Sequence, residues 1–129
     1  MTRDELEKKA MLILYKHWDP IGINHYPQVE DEYVRYSTPA VYMLIAGARR
    51  EMVVQMLDEA AMSQISRIRS AEPERTNRSV DFLIELVIRY LEGRARGSKY
   101  VFDTETDRVT PNHFKRKSVV RPVKSTDGS

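Results

Sequence analysis

The chain reads as all-α, a compact bundle of three to five short helices followed by a basic, largely irregular C-terminal tail. Three observations lead there. Apolar residues recur at steps of three and four through residues 1–93. The stretches between those runs are short and marked by Pro, Gly or Asn. Past Gly93 the periodicity fades and the charge changes sign. Residues 1–93 hold 12 Lys/Arg against 15 Asp/Glu, and residues 94–129 hold 9 against 4. A chain of 129 residues has room for one domain. The expected organisation is a helical body over 1–93 and a partly disordered basic tail over 94–129.

Each element follows from local chemistry. Thr2 and Glu5 form a capping-box pattern. The stripe Leu6, Ala10, Ile13 and Leu14, with Met11 and Trp18 alongside, predicts a first helix over 4–18. It stops at Asp19-Pro20, because the proline ring restricts the residue before it. Residues 19–30 read as a loop, and Ile21, Ile23, Tyr26 and Val29 are expected to pack it on the helices. Thr38-Pro39 looks like an N-cap with proline at the first helical position. A second helix is therefore expected over 39–46, or from Asp31 with a bend at Pro39. Gly47 suits its end. Met52, Val53, Met56, Leu57 and Ala60 predict a third helix reaching Met62. Ile65 and Ile68 can extend it, and 71–74 end it. Ser79 is expected to cap a fourth helix over 80–92, with Leu83, Leu86, Val87, Tyr90 and Leu91 inward. A weak hairpin is expected near 100–110, where Tyr100-Val101-Phe102 and Arg108-Val109-Thr110 flank a polar stretch. Residues 112–129 have no period and are expected to be disordered.

Composition narrows the function classes. The chain has no cysteine, which removes disulfides, thiolate metal sites and a cysteine nucleophile. No apolar run approaches 18 residues, so no membrane span is expected. The first nine residues carry both signs of charge and lack an apolar signal core. The expected location is cytoplasmic.

The segment Trp18-Asp19-Pro20-Ile21-Gly22, then Asp31-Glu32-Tyr33 and Tyr36, then Pro39, resembles a family of small bacterial helical proteins. Those proteins carry a Trp-Asp-Pro-Ile-Gly-Val motif and an Asp-Glu-Tyr-Asp-x-Tyr segment, and their second helix leads into a Gly-Ala-Ser turn. Here that turn is Gly47-Ala48-Arg49. The resemblance covers about residues 6–62. It departs from the pattern at Ile23, at Val34 where the family has an acidic residue, and in the C-terminal part. Some members look like immunity proteins, which protect a bacterium from a toxin of its own kind. The resemblance therefore implies a bacterial protein-binding domain of the immunity or antitoxin type.

The candidate contacts to a protein partner are Asp19, Glu30, Asp31, Glu32, Tyr33 and Tyr36. A fixed acidic patch speeds encounter with a basic surface such as a toxin domain. The same acids also suit helix N-termini or the loop itself. The aromatic residues can form a recognition surface or pin the loop to the core. His17 and His25 flank the loop, but zinc ligands stand at tighter spacing, so no metal and no cofactor are assigned. Ser37, Ser63, Ser66 and Ser79 lack a nucleophile-elbow context, and no phosphate loop is present. No catalytic residue is assigned, and the chain is expected not to be an enzyme. The alternative function is nucleic-acid binding through Arg94, Arg96, Lys99, Lys115, Arg116 and Lys117. Tyr100, Phe102 and Phe114 offer stacking rings there, while Asp103, Glu105 and Asp107 interrupt the basic run.

Overall fold

The computed structural model describes residues 1–18, 33–61, 73–95 and 97–112. It is mostly helical, with one small antiparallel sheet. Helix α1 spans Arg3–Ile13 and continues as a π-helical turn over Leu14–Trp18. Helix α2 is Val34–Ile45, α3 is Arg50–Ala60 and α4 is Pro73–Arg94. Strands β1 (Tyr100–Asp103) and β2 (Arg108–Pro111) form a hairpin.

The start of α1 is set by its capping box. The Thr2 hydroxyl accepts from the Glu5 amide at 3.1 Å, and the Glu5 carboxylate accepts from the Thr2 amide at 2.8 Å. Those bonds satisfy two donors that a helix start leaves unpaired. They hold the Glu5 carboxyl below the ordinary glutamate range, the backbone hydrogen bond from Thr2 being the main cause. Leu6, Ala10, Leu14 and Trp18 then reach the core at steps of four.

Helix α2 begins five residues before Pro39, which favours the longer of the two expected helices and corrects the reading of Thr38 as an N-cap. Pro39 lies inside the helix and lacks an N–H, so the Arg35 carbonyl loses its usual partner. Arg35 and Pro39 are both exposed, where water can serve that carbonyl. The end of α2 follows expectation. Gly47 adopts φ +90. Its amide donates to the Leu44 carbonyl at 3.1 Å, and the Ala48 amide donates to the Met43 carbonyl at 2.9 Å. This is the paired closure that a left-handed glycine permits.

Helix α4 starts six residues before the expected Ser79 cap. Pro73 takes its first position, where the missing N–H costs nothing, and Glu74 sits near the positive end of the dipole. The chain at 71–74 was expected to close the third helix, and instead Pro73 opens α4. Periodicity missed this stretch because its two core-facing positions are Thr76 and Ser79, both fully buried. At the other end α4 runs one residue past Gly93.

Helix α4 is the shared partner, packing against α1, α2 and α3. Its face of Val80, Leu83, Ile84, Leu86, Val87 and Tyr90 meets Leu6 and Leu14 of α1, Val41 and Leu44 of α2, and Val53 and Leu57 of α3 in one core. The expected hairpin is present and docks on the helices, with Val109 buried and Tyr100 and Phe102 packed against the core. Its four residue pairs run from Tyr100 opposite Pro111 to Asp103 opposite Arg108. Helix α4 crosses the expected boundary at Gly93, and both strands beyond it pack against the helices. The hairpin is held in part by Glu92, whose carboxylate accepts from the Tyr100 amide at 2.9 Å. The expected extension of α3 through Ile65 and Ile68, the loop packing of Ile21, Ile23, Tyr26 and Val29, and the disorder of 113–129 fall outside the described residues.

Candidate functional site

The sequence places its candidate site in the segment that follows α1, and the structure describes both ends of that segment. At one end the π turn delivers Trp18 to the core with no exposed surface. At the other, Tyr33 opens the approach to α2 and is also fully buried. The two rings meet edge-to-face, with centroids 5.6 Å apart. Tyr36, one turn further along, lies 5.9 Å from Trp18. Aromatic pairs in this range add attraction beyond their burial. The indole N–H of Trp18 donates to the Thr76 hydroxyl of α4 at 3.2 Å, inside the core. That bond satisfies a buried donor and ties the cluster to α4.

This arrangement corrects one expectation. Tyr33 is 1% exposed and Tyr36 9%, so neither ring has a face to offer a partner. They act as the pins that hold the chain to the core. Asp19, Glu30, Asp31 and Glu32 fall outside the described residues, as does His25. Of the tail cations, Arg94 is the last residue of α4 and its guanidinium lies 5.6 Å from the Tyr90 ring centre, a cation–π contact. Lys99 is exposed just before β1. Arg96, Lys115, Arg116 and Lys117 fall outside the described residues.

A second polar centre gathers where α3 begins, which periodicity could not reveal. Arg49 precedes α3 and provides no side-chain cap. The cap comes from the hairpin instead. The Asp107 carboxylate accepts from the Glu51 amide at 2.9 Å, and the Asp107 carbonyl accepts from the Arg50 amide at 2.7 Å. Asp107 adopts φ +62 to do this, a conformation that Asp tolerates better than most residues. The Arg50 guanidinium reaches α4, donating to the Asn77 side-chain oxygen, the Asn77 carbonyl and the Asp81 carboxylate at 2.9–3.1 Å. Arg108 donates to the Gly47 carbonyl at 2.9 Å. Arg49, Arg50, Glu51, Asn77 and Asp107 border an open cleft of about 420 Å³ lined by both signs of charge. Its chemistry is committed to structure: the carboxylate of Asp107 caps a helix, and Arg50 is shared by two residues of α4. The signal that could have found it is Asp103-Thr104-Glu105-Thr106-Asp107, a turn rich in side chains that bond to backbone.

Among the described residues, no group of three His, Asp or Glu side chains is placed to hold a metal ion. No described helix is long and apolar enough to cross a membrane. No family model, no curated protein and no solved structure matches the chain.

Proposed function

We propose that this chain is a non-enzymatic protein-binding domain of the immunity or antitoxin kind, which occludes a basic toxin domain through the segment 19–32. The observation that carries the reading is the contact between Trp18 and Tyr33. Trp18 and Tyr33, the residues on either side of the segment, are buried in one aromatic cluster, so its two ends are held close together. Tying the ends together lowers the ordering cost of binding. Asp19 follows one pin directly, and Glu30, Asp31 and Glu32 precede the other. Carboxylates in those positions meet a cationic active site with favourable long-range attraction. The proposed contacts are therefore Asp19, Glu30, Asp31 and Glu32, with Trp18, Tyr33 and Tyr36 as their anchors.

The test is co-expression with the product of the neighbouring gene. The expected result is rescue of growth and co-purification, both weakened by Asp31→Lys with Glu32→Lys. Failure of rescue and of co-purification with the parent chain overturns the reading. No described residue favours the nucleic-acid alternative. Arg94 is engaged by Tyr90, and the hairpin beside Lys99 carries Asp103, Glu105 and Asp107. That alternative predicts RNA or DNA binding that weakens steeply with salt.

A further inference from the structure

Away from the aromatic cluster, α1 and α4 lie side by side and their outer seam forms an open groove of about 270 Å³. Its floor is apolar, built from Leu12 and Ile13 of α1 and Leu86 of α4. Its rim is cationic, with Lys9 from α1, Lys16 from the π turn and Arg89 from α4. The lining contains no carboxylate. His17 also lines the groove, and its ring meets that of Phe82 at a tilt, with centroids 4.5 Å apart. Phe82 is 37% exposed, so apolar surface continues past the groove.

Two features separate this seam from an ordinary solvated helix face. A large ring stays partly at the surface beside the apolar floor and extends it. The three rim cations also form no ion pair with a described residue. Glu5 and Glu85 stand one turn from Lys9 and Arg89 respectively, outside the groove lining. An apolar floor between like-charged rails fits a ligand of the opposite pattern.

The geometry points to a docking site for an acidic amphipathic helix of a partner protein. Its apolar residues, spaced three and four apart, lie on the partly exposed Leu12, Ile13 and Phe82. Its flanking carboxylates meet Lys9, Lys16 and Arg89. This is helix-in-groove recognition, in which apolar anchors supply affinity and charges set orientation and selectivity. The groove is lined by residues of α1, the π turn and α4, and its reading does not rest on the toxin partner.

The experiment selects a displayed library of random 16-residue peptides against the full chain. The expected winners carry Leu, Ile or Phe at helical spacing, flanked by Asp or Glu. They should bind at least ten-fold more weakly to Lys16→Glu/Arg89→Glu and to Phe82→Ser. Lys16→Arg/Arg89→Lys should retain binding, and circular dichroism should show each variant folded. Arg35→Glu, on the exposed side of α2, should have no effect. Selection of no peptide, of basic peptides, or of peptides indifferent to these substitutions overturns the proposal. So does binding to phosphatidylglycerol vesicles in place of peptide, or a dimer in sedimentation that Phe82→Ser dissolves. None of these outcomes bears on rescue by Asp31 and Glu32, so the two readings fail separately.

Discussion

The Trp18 cluster and the start of α3 are both junctions where three pieces of chain meet, and they are closed by opposite means. Around Trp18 the joint is rings and one internal hydrogen bond, sealed from water. At α3 the joint is a borrowed cap and a guanidinium clamp at the edge of an open cleft. Apolar burial is insensitive to ionic strength, whereas half-exposed charge pairs are screened by it. The first junction therefore sets whether the protein folds, and the second sets how the hairpin and α3 stay attached to what has folded.

That contrast can be measured. Trp18→Ala should be the costliest single change, at about 3–5 kcal/mol in denaturant unfolding, because it opens a cavity and orphans the Thr76 hydroxyl. The loss should be the same in low and high salt. Leu86→Ala should cost about 2–5 kcal/mol, since Leu86 is nearly fully buried under the groove. Next comes Asp107→Ala, at about 1–2 kcal/mol for a lost helix cap. Hydrogen exchange at the Glu51 amide should accelerate while that of α1 stays unchanged. Asp107→Gly should cost less than Asp107→Ala, because glycine accepts φ +62 without strain. Arg50→Ala should be smaller again, about 1 kcal/mol, as its Asp81 partner is 65% exposed. Its cost should shrink as salt is added. If Arg50→Ala is salt-independent and as costly as Trp18→Ala, the division between the two junctions is wrong.

The smallest expected effect lies at the α1 cap. Glu5 titrates below the ordinary value of 4.5, chiefly through its backbone hydrogen bond from Thr2. A depressed carboxyl stabilises the folded state above its unfolded pKa, and that contribution is lost as pH falls through the folded pKa. Glu5→Gln should therefore be slightly less stable than the parent at pH 7. The gap should close as pH falls through the lowered pKa of the folded Glu5, below which both side chains are neutral. An unchanged gap in acid would remove charge from the account of this cap.

Reading residues alone recovered the elements that advertise themselves. The capping box at Thr2 and Glu5, the stripe from Leu6 to Trp18, the closure at Gly47 and the hairpin at 100–110 each carry a local signature, and each is present. The errors share a cause. Pro39 suits either the start of a helix or a position within one, and the structure has it within α2; Pro73, expected to end a helix, starts one. Thr76 and Ser79 occupy core-facing positions with hydroxyls, so the inner face of α4 did not look apolar there. Thr76 is buried because Trp18 needs an acceptor, a fact that depends on two residues 58 positions apart. Asp107 is the same kind of case. Its role as the cap of α3 exists only after the hairpin has docked, so no inspection of residues 49–53 could have supplied it. Phe82 was passed over because it lies outside the inward period of α4, and that outward position is what gives it interest.

The π turn at Leu14–Trp18 has a bearing on how this chain tolerates change in length. Side chains four apart on an α-helix advance about 40° beyond a full revolution, so a stripe at steps of four slowly winds off its target. A turn bonded from i to i+5 accommodates an additional residue per revolution and brings the indole back into line. Such a turn behaves as slack in the helix. Removing Lys16, whose side chain is exposed, should let the turn relax to α geometry with the indole still aimed inward. The same removal at Lys8, in the tightly wound part of α1, would rotate every residue upstream of it away from the core.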